Sequence, residues 1–105
     1  MIQNFQAYEL ALQLYRKVEV IELKHHLKDQ LMRASQSVVL NLAEGSAKPT
    51  WKDKTRFYAI AFGSIREVQA VFDLISLEDA ETLKLTDRIA GCLYRLTYRN
   101  RPPHR

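Results

Sequence analysis

Glycine and proline are scarce in this chain: three of each occur among 105 residues, and neither appears before Gly45. Folds assembled from many tight turns draw heavily on both residues, so that scarcity excludes a turn-rich sandwich or barrel. Cysteine is scarcer still. A lone Cys92 cannot close an internal disulfide, and its place in the apolar pattern of the last helix marks it as a small core residue. No apolar run approaches the ~18 residues of a membrane span. The opening Met-Ile-Gln-Asn-Phe-Gln lacks the basic flank and apolar run of a signal peptide. The expectation is a cytoplasmic protein with no membrane partner.

Strand-like alternation is not sustained anywhere, whereas helical spacing recurs four times. Hydrophobic residues at 47% and charged ones at 27% suit a single globular domain that buries roughly two thirds of its unfolded surface. The pattern predicts helices over 4–20, 25–45, 51–77 and 80–100. Asn4 is placed to cap the first, Thr50 with Asp53 the third, and Asp79 the fourth, while Gly45 is placed to end the second in a left-handed conformation. Three short connections make consecutive helices antiparallel neighbours. The fold class expected is therefore all-α, an antiparallel up-down-up-down four-helix bundle over residues 1–101, followed by a short basic tail, 102–105.

At about 100° per residue, Arg33, Ser37, Asn41 and Glu44 share one side of the second helix. Leu27, Leu31, Ala34, Val38 and Leu42 share another. On the third helix, Ser64 and Glu67 flank the apolar stripe Phe57, Ala61, Ile65, Val68, Phe72 and Ile75. The first helix carries two apolar stripes, Phe5, Tyr8, Leu12 and Tyr15 against Leu10, Leu14, Val18 and Ile21. If one of them faces outward, burying it between copies recovers several kcal/mol at ~25 cal/mol per Å². That argument predicts a homo-oligomer through Leu10, Leu14, Val18, Ile21 and Phe62, with Tyr58 extending the contact.

Two segments carry a signature. Gln30, Leu31, Arg33, Ala34, Ser37, Val38, Asn41, Leu42, Ala43, Glu44 and Gly45 are followed by Phe57, Ala61, Gly63, Ser64 and Glu67. This pattern resembles that of the 23S ribosomal RNA intervening-sequence proteins, a four-helix bundle family similar to the accessory variability proteins of diversity-generating retroelements. The resemblance implies a ring of bundles, most often a pentamer, with no established enzymatic activity; no cofactor is expected. In the retroelement branch it implies binding to nucleic acid and to a reverse transcriptase. The other branch takes its name from genes lying within ribosomal RNA genes. This chain departs from the pattern in its short first link and compact C-terminus.

The polar set Arg33, Ser37, Asn41, Glu44, Ser64 and Glu67 reads best as a structural network, in which Arg33 pairs with Glu67 across two helices. If that pair is buried, Arg33→Met costs on the order of 3–5 kcal/mol. Catalytic and metal constellations are missing. His25 and His26 diverge by about 100° on a helix, His104 sits in the tail, and there is no glycine-rich phosphate loop. An enzyme is not expected.

Charge is polarised. Residues 84–105 hold Lys84, Arg88, Arg95, Arg99, Arg101 and Arg105 against Asp87 alone, and residues 46–56 hold Lys48, Lys52, Lys54 and Arg56 against Asp53. Lys84, Arg88, Arg95 and Arg99 fall along one side of the last helix, prolonged by Arg101, with Gly91 in the stripe and Tyr94 and Tyr98 beside it. Such a face suits RNA or DNA phosphates, with the rings packing on sugars or bases; it equally suits a solvated helix end. With the resemblance added, the expectation is a non-catalytic oligomer that binds nucleic acid through this basic face. The alternative is a protein-binding assembly scaffold without nucleic-acid affinity, using the polar stripe or the first helix's second apolar face.

Overall fold

A computed structural model describes residues 5–99. Four α-helices follow in order: α1 (Phe5–Glu19), α2 (His25–Ser46), α3 (Trp51–Leu74) and α4 (Ala80–Tyr94), the last running into one π-helical turn, Arg95–Arg99. Each helix packs on its neighbours in sequence, and α1 closes the square against α4. This is the expected up-down-up-down bundle, without strands among the described residues. Asn4 and the tail at 102–105 lie outside the described residues.

The helix ends show how local chemistry sets the topology. Thr50 Oγ1 accepts from the Asp53 N–H at 3.1 Å, and Asp79 Oδ1 accepts from the Thr82 N–H at 3.2 Å. Each supplies an acceptor for one of the N–H donors that a helix start leaves unpaired. The ends of α1 and α2 are closed by lysines from the following helix instead. Lys28 Nζ donates to the carbonyls of Val18 at 3.1 Å and Glu19 at 2.8 Å, and to that of Ile21. Lys54 Nζ donates to the Ser46 carbonyl at 3.0 Å. Each long, flexible side chain bridges a tight reversal by satisfying orphan carbonyls.

Two ends differ from the sequence-based expectation. Gly45 is helical, since no glycine among the described residues has positive φ, and α2 runs one residue further. What requires glycine there is space: a β-carbon on Gly45 would stand 2.7 Å from Cε1 and 2.9 Å from Cδ1 of Tyr58. The third helix stops at Leu74, three residues short of the expected 77. The Leu77 N–H bonds back to the Phe72 carbonyl at 3.0 Å and the Ser76 N–H to Asp73 at 3.1 Å. That pairing is a Schellman motif. Ser76 occupies its left-handed position at φ 52°, where glycine is usual, so sequence carried no stop signal.

The core holds the predicted stripes of α2, α3 and α4, with Leu31, Val38, Leu42, Ala61, Ile65, Val68, Phe72, Ile89 and Leu93 all buried. The first helix corrects the oligomer argument. Leu10, Leu14 and Val18 lie inside the protomer, Leu14 and Val18 being fully buried, and Tyr58 is fully buried too. Ile21 and Phe62 are half-buried against the same core, as are Tyr8, Leu12 and Tyr15. A helix at the corner of a square touches two neighbours, so an apolar arc wider than about 100° is covered within one chain. The apolar residues of α1 therefore give no reason for a second copy.

The Tyr58 ring is enclosed and cannot retreat freely, so Gly45→Ala should lose about 1–3 kcal/mol to overpacking despite alanine's better helix propensity. Ser76→Gly should gain about 1 kcal/mol by removing the left-handed penalty. Opposite shifts of the two denaturant midpoints check both; a stabilised Gly45→Ala variant would refute the close approach. Asp79 has its carboxyl held below the ordinary 3.8, chiefly by the Thr82 side-chain and backbone hydrogen bonds. Its contribution is present above that ordinary value and disappears as pH falls through the lower folded value. Asp79→Asn should flatten this part of the acid limb of thermal stability, and an identical pH profile would count against the cap.

Candidate functional site

Along the seam between α2 and α3, the polar signature residues are half-exposed, not enclosed. Ser37 Oγ and Ser64 Oγ lie 2.7 Å apart across the seam. Asn41 Nδ2 donates to the Ser37 carbonyl at 2.9 Å and to its hydroxyl at 3.1 Å. Glu67 accepts from Gln30 Nε2 at 3.0 Å, and Glu44 pairs with Lys48 at 3.0 Å. The expected Arg33–Glu67 pair is absent among the described residues. Both side chains sit on the solvent edges of their helices, where a hydrated guanidinium gains little from a partner. The seam is a register lock of short hydrogen bonds, flanked by the exposed Leu40 and Ile60, at 58% and 47%.

The two basic segments fare differently. In the α2–α3 connection most cations are engaged locally: Lys48 pairs with Glu44, Lys54 caps α2, and Lys48 and Arg56 stand 5.1 and 4.8 Å from the Phe57 ring centroid. On α4 the reverse holds. Lys84, Arg88, Arg95 and Arg99 are all exposed, and none has an acidic partner among the described residues. Asp87, the acid within that stretch, lies on the α3 side and accepts from Gln69 Nε2 at 2.9 Å. Glu81 pairs with Lys17 at 3.3 Å. Four exposed cations thus remain without an acidic partner along the outer side of α4 and its last turn. Arg101 lies outside the described residues.

Between α1 and α4 a shallow cleft of about 220 Å³ is lined by Gln13, Lys17, Glu81, Lys84, Leu85 and Arg88. It is open and predominantly basic, suited to phosphate contacts and not to enclosing a small substrate. No three His, Cys, Asp or Glu side chains among the described residues are placed to share a metal ion. No helix among them is long and apolar enough to cross a membrane. Cys92 is half-buried, its sulfur 3.5 Å from Arg95 Nη2.

The chain matches the 23S rRNA-intervening sequence protein family over residues 4–91. It belongs to that family. No curated protein and no solved structure matches the chain significantly. The polar residues of the two motif segments lie on the half-exposed α2–α3 seam, while Tyr94 to Arg99 lie beyond the matched residues of this intervening-sequence family protein.

Sequence reasoning missed Lys28 and Lys54 as helix-end caps because nothing in their spacing distinguishes them from surface lysines. For the seam, Arg33→Met should change stability by less than about 0.5 kcal/mol, as expected at an exposed site. Ser64→Ala, which removes the bond across the seam and leaves Ser37 only its Asn41 donor, should cost about 1 kcal/mol. Urea titrations of both test this order, and a larger loss at Arg33 would restore the buried-pair expectation.

Proposed function

We propose that this intervening-sequence family protein is a non-catalytic, oligomeric bundle that binds nucleic acid through the outer side of α4. The observation that carries the reading is the row Lys84, Arg88, Arg95 and Arg99, exposed and without acidic partners among the described residues. Glu44, Glu67, Glu81 and Asp87 each already sit beside another cation or amide. Unspent positive charge along one helix is the footprint of a polyanion site. Phosphate contacts of this kind tolerate sequence variation and weaken steeply with salt. A reverse transcriptase is the protein partner consistent with the retroelement-like branch of the resemblance.

Assembly into a ring, with a pentamer as the working state, would repeat the row once per subunit and raise a weak contact by avidity. With the α1 stripes occupied by the core, the copy-to-copy contact is reassigned to the α2–α3 seam, where Leu40 and Ile60 expose apolar surface beside the hydrogen-bonded serines. The same seam favours the alternative reading, a scaffold that recruits a protein and has no nucleic-acid affinity.

Light scattering with and without structured RNA or DNA, at low and moderate salt, tests the two together. The expected result is a mass several times 12.3 kDa that rises with nucleic acid and loses the increment as salt increases. Arg88→Glu with Arg95→Glu should abolish the increment while leaving helicity intact; Leu40→Glu should lower the mass. An oligomer indifferent to nucleic acid would favour the scaffold, and a monomer would refute the assembly.

A further inference from the structure

The π-helical turn at Arg95–Arg99 reorganises the surface of α4. In an α-helix four residues advance about 400°, leaving each side chain about 40° past the one four positions earlier. A turn closed by i→i+5 bonds holds more residues and rotates less per residue, which brings the side chain four positions on nearly over the first. The turn spans the step from Arg95 to Arg99, and the step from Tyr94, the last residue of α4, to Tyr98 ends within it. That helical geometry sets the two rings beside the two exposed cations, as a double ladder.

The Tyr94 and Tyr98 ring centroids stand 5.2 Å apart, and Phe62 of α3 backs them at 5.9 and 6.1 Å. Tyr94 remains 44% and Tyr98 52% exposed. Gly91 lies one turn earlier on the crest between rings and cations. A β-carbon there would meet only Arg95 Nη1, at 3.5 Å, so the glycine lets the Arg95 guanidinium lie along the crest, with its Nη2 3.5 Å from the Cys92 sulfur. A strand crossing it meets cations on one side and aromatic rings on the other.

We propose that this double ladder binds unpaired nucleotides, the bases stacking on Tyr94 and Tyr98 while the phosphates lie along Arg95 and Arg99. The inference rests on the nucleic-acid reading above and narrows it to single-stranded or looped segments. Duplex bases are already stacked on one another and leave the rings without a face to cover, whereas splayed bases offer one each. The flanking arginines, which lack acidic partners among the described residues, favour a polyanion over a second copy of the chain as the occupant.

The test is fluorescence anisotropy with a labelled single-stranded RNA and with the same strand annealed to its complement, at low salt. The single strand should bind at least about 10-fold more tightly. Tyr98→Ala and Tyr98→Leu should each lower single-strand affinity about 5- to 150-fold, the worth of one base stack, and lower duplex affinity far less. Tyr98→Phe should restore the preference. If Arg88→Glu with Arg95→Glu leaves both ligands bound as before, the basic-face reading itself fails. If that double variant weakens both ligands while Tyr98→Ala and Tyr98→Leu weaken them equally or not at all, the stacking proposal is overturned and the basic face stands. A drop in light-scattering mass of the free Tyr98→Ala protein would assign the rings to a contact between copies and also overturn it.

Discussion

Where α2 turns back into α3, the Tyr58 ring fills the space that a β-carbon at position 45 would need. That contact sets how closely the two longest helices approach and at what level they pair. From it follow the Ser37–Ser64 bond and the Gln30–Glu67 bond further along the same seam. With the pair locked, α1 and α4 have one remaining place each, in the two open corners. Burial of Leu14 and Val18 on one side and Ile89 and Leu93 on the other completes the core. The hydrophobic term is larger than any of these polar contacts, but it is non-directional. The short contacts choose the register in which it is collected.

Charge follows a division of labour. Near the helix reversals, lysines are consumed in closing backbone ends: Lys28 on α1 and Lys54 on α2. Lys48 and Arg56 are held against Phe57. Cations tied to carbonyls and rings in this way are less available to an external anion. Along α4 the four cations have no acidic partner among the described residues, Asp87 being held by Gln69 and Glu81 by Lys17. The positive field of the bundle is concentrated where the structure makes no other use of it.

The end of α4 departs from ideal geometry in two respects that belong together. Its last turn widens to π form, and Thr97, buried within that turn, has a hydroxyl with no hydrogen-bond partner among the described residues. A wide turn has weaker hydrogen-bond geometry, and a buried unpaired hydroxyl carries a desolvation cost. What accompanies these costs is the alignment of Tyr94 with Tyr98 over Phe62. The segment lies beyond the residues matched to the family.

The sequence by itself determined the four helices, their apolar stripes, the Thr50 and Asp79 caps and the unbalanced charge of the last helix, because each is a local property. Helical periodicity places a residue at an angle about its own helix axis, and a cap needs only its next three residues. Periodicity does not say which way the axis is rotated toward its neighbours, nor how far one helix slides along another. Only the tertiary structure decided that Leu10, Leu14 and Val18 face the core, that Arg33 and Glu67 stand on solvent edges, and that Gly45 is needed for a neighbouring ring and not for a cap. The same holds for the π turn. Its wider geometry depends on packing Thr97 and the two tyrosines against α3, and no spacing within residues 94–99 records that contact.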